Sequence, residues 1–365
     1  MRIGTNITAY MAGAQLAKVE KSLSRSMERL SSGYKINVSK DDPAGMAMTQ
    51  KLRTQIKELK RSGMNASDGI SVLEVTESAL SEVTSMLQRM RELSVQGASD
   101  SSTDEDRKNI MSEITELQKE IDRVSKDTQF NNQNLLDGTF ERRTYAFDEN
   151  NRLTNDVSVL YVSESVPAGT YELTISGGEI QADDAQIKAV FGQNAIATVD
   201  GNKVDITGDD GFEISFALNN PDMTDQKVTI ELWDIGSMPI QVGNNEGQSV
   251  DIIIPRVSTD VLHIDDLDCT TAVGCGKAIT KLDKAISLAS KIRSSLGAYQ
   301  NRLDNAELSI NSSTDSLTTA LSNISDTNMA EEMTEFTSQN VLQQAGISML
   351  TQANQMPEKV LQLLQ

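Results

Sequence analysis

Histidine is almost missing from this chain: one residue, His263, in 365. That excludes any zinc site built on paired histidines. A Ser-His-acid triad would have to use His263, beside Asp265 and Asp266 in a polar connector where a solvated histidine is the simpler reading. Cysteine is nearly as scarce, and two residues, Cys269 and Cys275, are too few for a disulfide framework. Strung together, His263, Cys269 and Cys275 make a poor metal set. No Gly-rich phosphate loop follows a strand pattern. Asp183-Asp184 and Asp209-Asp210 lie in turn-rich sequence, where calcium is conceivable but solvated carboxylates are simpler. An enzyme is not expected, nor any cofactor, resident metal or catalytic residue.

Other absences concern partners. Lys and Arg number 33 against 53 Asp and Glu, a formal charge of −20, so phosphate backbones would be repelled and nucleic acid is excluded as a partner. The same charge predicts that any self-assembly depends on salt. No run of eighteen apolar residues exists, so no membrane insertion is expected. Met1 to Asn6 opens without the apolar core of a cleaved secretory signal. Aromatics are only 4 %, and nine of the 14 lie between Phe140 and Trp233. The flanks are therefore built from Leu, Ile, Val, Ala and Met, as helical rods and coiled coils are.

What is present is helical periodicity on both sides of that aromatic stretch. Leu52, Ile56, Leu59, Gly63, Ala66, Ile70 and Leu73 step by four and three, and Ala79, Val83, Met86, Met90 and Leu93 continue an adjacent row. Such spacing draws one packing stripe along a helix. Asp42-Pro43 supplies a cap and a first-turn proline, so the helix is expected from near Ala44 to near Gly97, about 80 Å long. A second helix with its stripe at Ile110, Ile114, Leu117, Ile121 and Val124 follows a short loop and should run antiparallel to it.

At the N-terminus Leu16, Val19, Leu23, Met27 and Leu30 form an amphipathic helix that Ser31-Ser32-Gly33 ends. Near the other end Ile279, Leu282, Ile286, Ala289, Leu296, Leu303, Ile310, Leu317, Leu321 and Ile324 keep a long seam, with Arg293 and Gln300 at intervening positions. Leu342, Gly346, Met349, Ala353, Met356, Val360 and Leu363 then step four and three to the last residues. The two terminal stripes have no partner in their own segments, so they are expected to order only against neighbouring copies. The residues on these two pairing faces are Leu16, Val19, Leu23, Leu30, Leu342, Met349, Met356, Val360 and Leu363.

Between the flanks, Val157 to Val162, Thr170 to Ile175, Phe212 to Leu218 and Val228 to Trp233 alternate and are separated by turn signals. They read as a small all-β module, with roughly three acids for each base. A hairpin is expected from Ile240 to Val242 and Val250 to Ile254. The fold class is thus mainly α with an all-β insert: a long antiparallel helical rod and coiled-coil-like terminal helices from both chain ends, a β hairpin, and a β module facing outward. The expected boundaries are 1–42, 43–138, 139–236, 237–324 and 325–365.

Several blocks carry a specific resemblance. Glu28 to Asn37 and Lys40 to Gly45 resemble the N-terminal signature of the bacterial flagellin family. So do Asn65 to Ser71, Arg91 to Gln96, Glu120 to Val124 and Thr128 to Asn131. Leu296 to Leu303, Gln343 to Gly346, Ala353 to Pro357 and Val360 to Leu364 are similar to its C-terminal blocks. The resemblance implies a secreted subunit of an extracellular flagellar filament, exported unfolded through the flagellar type III apparatus. The terminal helices would line the inner tube, which makes the residues of their two pairing faces polymerisation contacts, and the long helices would form the next shell.

The implied partners are the chain itself, the export chaperone and cap proteins, the hook-filament junction proteins, and the flagellin-sensing Toll-like receptor of a host. Gln88, Arg89 and Leu93 match the receptor-read segment, and Glu113 its partner on the second helix. A hook-filament junction protein, or a filament subunit whose insert is an adhesin, is the alternative. Cysteines are unusual in the family. Cys269 and Cys275 enclose five residues, and a local disulfide or two free thiols both remain open.

Overall fold

In a computed structural model the described residues are 6–147, 157–163, 166, 169–176, 179–180, 196–200, 203–208, 213–218, 226–232 and 236–362. Their contacts divide the chain into two compact units, one formed by 1–61 with 309–365 and one by 62–308.

The first unit is organised by α1 (Ile7–Ser32) and α5 (Met329–Gln362). Asn6 caps α1 through the Ala9 N–H, and Gly33, at φ 77°, closes it in the left-handed conformation that only glycine adopts without strain. The helices are antiparallel. Asn6 Nδ2 donates to the Ala353 carbonyl at 2.8 Å, Leu16 lies against Gly346, and Arg29 pairs with Glu332 at 3.5 Å. The α1 stripe, and Gly346 and Ala353 of the α5 stripe, therefore find partners inside one chain. Where the helices leave the pair, Lys35 N–H donates to Ser325 O at 2.7 Å and Thr327 N–H to Gly33 O at 2.9 Å.

Helix α2 (Pro43–Ala98) starts at the expected cap: Asp42 Oδ1 accepts from the N–H groups of Ala44 and Gly45. The second unit packs most of α2 against α3 (Asp104–Asp127) and α4 (Ala272–Ser325). Both packings are antiparallel: Arg89 meets Glu113 while Gly97 meets Arg107, and Glu77 meets Arg293 while Arg91 meets Asp283. Leu282, Ala289, Leu296, Leu303 and Ile310, each seven apart on α4, are all buried, as a heptad seam requires. On α2 the structure adds a row that one stripe does not contain: Leu80 and Leu87 are fully buried beside Val83 and Met90. A helix with two partners needs a wider apolar face. Each such leucine contributes roughly 1.5–3 kcal/mol on burial.

The α2–α3 turn is closed by charge. Thr103 and Asp106 form a capping box at the start of α3. The nearly buried Arg107 donates to the carbonyl of Gly97 at 2.9 Å, covering an acceptor in the last turn of α2, and to that of Ser99 at 3.1 Å in the turn beyond it. Past α3, β1 (Gln129–Phe130) and β2 (Gln133–Asn134) make a small hairpin.

The described residues of the insert form two four-stranded antiparallel sheets. One holds β3 (Thr144–Phe147), β10 (Gln226–Leu232), β5 (Gly169–Ser176) and β6 (Glu179–Ile180) in that order. The other holds β4 (Val157–Val162), β9 (Glu213–Leu218), β8 (Lys203–Thr207) and β7 (Ile196–Asp200). Val204, Ile206, Ile214 and Phe216 of one sheet meet Ala146, Tyr171, Ile230 and Leu232 of the other in a core separate from that of the helices. The four expected strands are there. β3, β6, β7 and β8 come in addition, and Phe212 and Trp233 lie outside the described residues. The expected hairpin is β11 (Met238–Gln241) paired with β12 (Ser249–Ile252). It sits on α2, where Gly69 lies against Ile240 and Ser62 Oγ donates to the Gly243 carbonyl at 3.0 Å.

Candidate interaction surfaces

Three places on the described residues carry exposed or chemically distinct side chains. On the terminal pair, Val19 is buried and Leu16, Leu23 and Leu30 are half-buried, so the α1 stripe lies on a covered side. The open side of α1 shows Ile7, Tyr10, Met11 and Met27 instead, with Tyr10 80 % exposed. On α5 the small residues Gly346 and Ala353 approach α1, while Leu342, Met349 and Met356 stand in solvent. The side chains of Val360 and Leu363 lie outside the described residues. Open apolar residues therefore remain on both terminal helices once they have paired.

The second place is on α2 and α3. Gln88, Arg89 and Glu113 are exposed. Arg89 Nε and Nη2 both donate to Glu113 Oε1, at 3.0 and 2.9 Å, and Nη1 lies 3.5 Å from Glu92. The hydrogen bond and charge of Glu113 raise the Arg89 pKa above its ordinary value. Leu93 does not share that surface. It is 3 % exposed and belongs to the helical core, because on a helix with partners on two sides a residue one turn further on already points inward.

The third place is the contact between β8–β9 and the chain around α4. Strand alternation sends Val204 and Ile206 into the insert and leaves Lys203 and Asp205 on the other face. Lys203 Nζ meets Asp265 at 2.6 Å and Asp260 at 3.1 Å, Lys291 meets Glu213 at 2.5 Å, and His263 Nε2 lies 3.4 Å from Asp205. Burial pushes the His263 pKa down, against the pull of Asp205. Asp205, Glu213, His263 and Lys291 border a cavity of about 290 Å³ whose lining also includes Ser215, Lys281 and Lys284. A β-bulge at Val159/Tyr161 turns Tyr161 out of the insert's own core, and it joins the helical core instead. The insert is thus seated by ion pairs and an aromatic anchor. Sequence periodicity could not reveal this, since partners such as Lys203 and Asp265 are 62 residues apart.

Cys269 and Cys275 are both free and fully buried. Among the described residues no group of three or more His, Cys, Asp or Glu side chains could hold a metal ion, and no helix is long and apolar enough to cross a membrane.

Comparison with known proteins bears on both ends of the chain. Residues 3–141 match the bacterial flagellin N-terminal helical region, and residues 279–364 match the bacterial flagellin C-terminal helical region. The chain is similar to polar flagellin A of Vibrio parahaemolyticus, 32 % identical over 100 % of this chain and 99 % of that protein. It is 33 % identical to a flagellin of Bacillus subtilis, with 100 % of each chain covered. To a flagellin of Clostridium tyrobutyricum it is 33 % identical, over 97 % of this chain and 99 % of that one.

Proposed function

The chain belongs to the bacterial flagellin family, and from that premise we infer that it is a structural subunit polymerising into the flagellar filament for swimming motility. The role is mechanical and not enzymatic. One observation carries the reading: flagellin relatives align with the chain from end to end, including both terminal helices. Those helices offer Ile7, Tyr10, Met11, Leu342, Met349 and Met356 as open apolar side chains. Burying such residues between copies would release roughly 1.5–3 kcal/mol each. The end-to-end match to flagellins favours a filament subunit over a hook-filament junction protein.

In the assembled filament, segments 1–42 and 325–365 form the inner tube, 43–138 and 237–324 the surrounding shell, and 139–236 the outer surface. The subunit is exported unfolded through the flagellar type III apparatus. Its partners in that process are an export chaperone, cap proteins and hook-filament junction proteins. In a host, Gln88, Arg89 and Glu113 form the surface read by the flagellin-sensing Toll-like receptor, and Leu93 supports them from beneath.

Polymerisation of purified monomer, followed by sedimentation and electron microscopy, tests the reading. The full chain is expected to form filaments that dissociate on heating. Replacing residues 141–236 by a short Gly/Ser linker should still give filaments, because the helices lie outside that segment and, among its described residues, Tyr161 alone belongs to their core. A folded shortened monomer that fails to polymerise would show that the insert makes an essential contact between subunits.

A further inference from the structure

The two cysteines play no part in the filament reading, yet their surroundings are specific. Cys269 lies in the irregular segment before α4 and Cys275 in the first turn of that helix. The turn between them is closed by its own hydrogen bonds. Asp268 Oδ1 accepts from the Thr270 N–H at 2.8 Å and its hydroxyl at 2.7 Å, and Thr271 Oγ1 accepts from the Gly274 N–H at 3.0 Å. At Gly274 a Cβ would stand 2.4 Å from the Asp268 carbonyl oxygen, so only glycine lets the chain fold back this tightly. The result brings Cys275 Sγ to within 3.3 Å of the Cys269 carbonyl oxygen, on which it donates.

Both sulfurs face the α2–α3 turn. Cys269 Sγ is 3.6 Å from Ser94 Oγ, and the Cys269 N–H donates to Met111 Sδ at 3.5 Å. Gly97 leaves the space that Cys275 Sγ fills, since a Cβ there would lie 2.7 Å from it. Two thiols are thus converged at the point where α2, α3 and α4 meet.

We propose that Cys269 and Cys275 are a covalent modification site: they close into an intramolecular disulfide that staples the first turn of α4 to the segment before it. The oxidant is a small-molecule disulfide. One cysteine thiolate attacks it, forming a mixed disulfide and releasing one small thiolate. The second cysteine thiolate then attacks the protein sulfur of that bond and releases the other. Each protein thiol gives up its proton to water, the two sulfurs are oxidised, and the reagent is reduced to two thiols.

Burial decides when this happens. The Cys275 thiol is pushed up to about 12 by desolvation and by the neighbouring Cys269 thiol, so the packed site holds almost no thiolate at neutral pH. With both residues fully buried, a mixed disulfide does not fit either. The bridge therefore forms while α4 is still docking, when the thiols are open to solvent. The proposal rests on the filament reading only in placing the folding chain outside the cell, where such oxidants persist.

The test uses full-length monomer and oxidised glutathione, so it does not depend on polymerisation. Reduced monomer is unfolded in denaturant and refolded with oxidised glutathione present, or exposed to it after folding. Alkylation in denaturant without reductant, read by mass spectrometry, counts the remaining thiols. The refolded sample is expected to carry none, while the prefolded sample reacts roughly tenfold or more slowly, limited by local opening. Reducing the bridged protein should lower the melting temperature of the unit around α4 by about 5 °C. The double variant Cys269→Ser/Cys275→Ser should show no response to reductant. Two alkylated thiols after oxidative refolding, or disulfide-linked dimers in place of the internal bridge, would overturn the proposal.

Discussion

A chain lacking residues 1–40, or one lacking 326–365, is expected to remain monomeric while its second unit stays folded. Each deletion removes one helix of the α1–α5 pair and uncovers the other. Without 326–365, Val19 and Leu16 lose their cover and Arg29 its ion-pair partner; without 1–40, Gly346 loses Leu16 and Glu332 loses Arg29. An isolated amphipathic helix of this kind is marginal in water. Backbone ordering costs about 1–2 kcal/mol per residue, so the survivor would fray and present no fixed surface to other copies. The 62–308 unit is spared because its core, including Leu80, Leu87, Ile114, Leu282 and Leu296, uses no residue from either deletion. Circular dichroism and limited proteolysis would establish that this unit is folded, and sedimentation would detect polymer. Filaments from either truncated chain would contradict the expectation.

The second large effect concerns receptor recognition. Arg89→Ala should weaken binding of the monomer to the receptor ectodomain by on the order of 2 kcal/mol, about thirtyfold in affinity. An exposed arginine has a fixed donor fork and a long apolar stem, the usual make-up of an interfacial hot spot. Here the fork is held in place on Glu113, so little side-chain freedom would be lost on binding. Truncation also leaves the Glu113 carboxylate without its partner. Because Arg89 is exposed, the variant should keep its helical content. A Leu93 truncation would instead hollow the core, and any loss of binding would be confounded with loss of structure. Equal affinities for the Arg89→Ala and unmutated monomers would remove Arg89 from the site.

The helices were legible because their stripes follow one rule, apolar residues stepping by three and four. The cap at Asp42-Pro43 and the heptad on α4 are stated in the residues themselves. What a single stripe could not state is how many partners a helix has. Leu80 and Leu87 form a second row on α2, and Leu93 faces inward for the same reason. On the terminal pair the stripe on α5 mixed two faces: Gly346 and Ala353 against α1, and Met349 and Met356 outside.

In the insert, β8 escaped notice because its only apolar residues, Val204 and Ile206, alternate with Lys203, Asp205 and Thr207, which read as polar connector. The charges that seat the insert, Lys203 on Asp260 and Asp265 and Glu213 on Lys291, join residues far apart in sequence, and no local pattern pairs them. Resemblance to the flagellin family supplied what periodicity lacked: the function, and the surface around Arg89.

The most direct measurement is a helical reconstruction from electron micrographs of the polymerised full-length chain. The account predicts a tubular filament whose innermost layer is built from the α1 and α5 helices of many copies, with Ile7, Tyr10, Met349 and Met356 buried between subunits and the 139–236 segment at the outer surface. A filament with the insert at its axis, or with the terminal helices exposed on the outside, would contradict it.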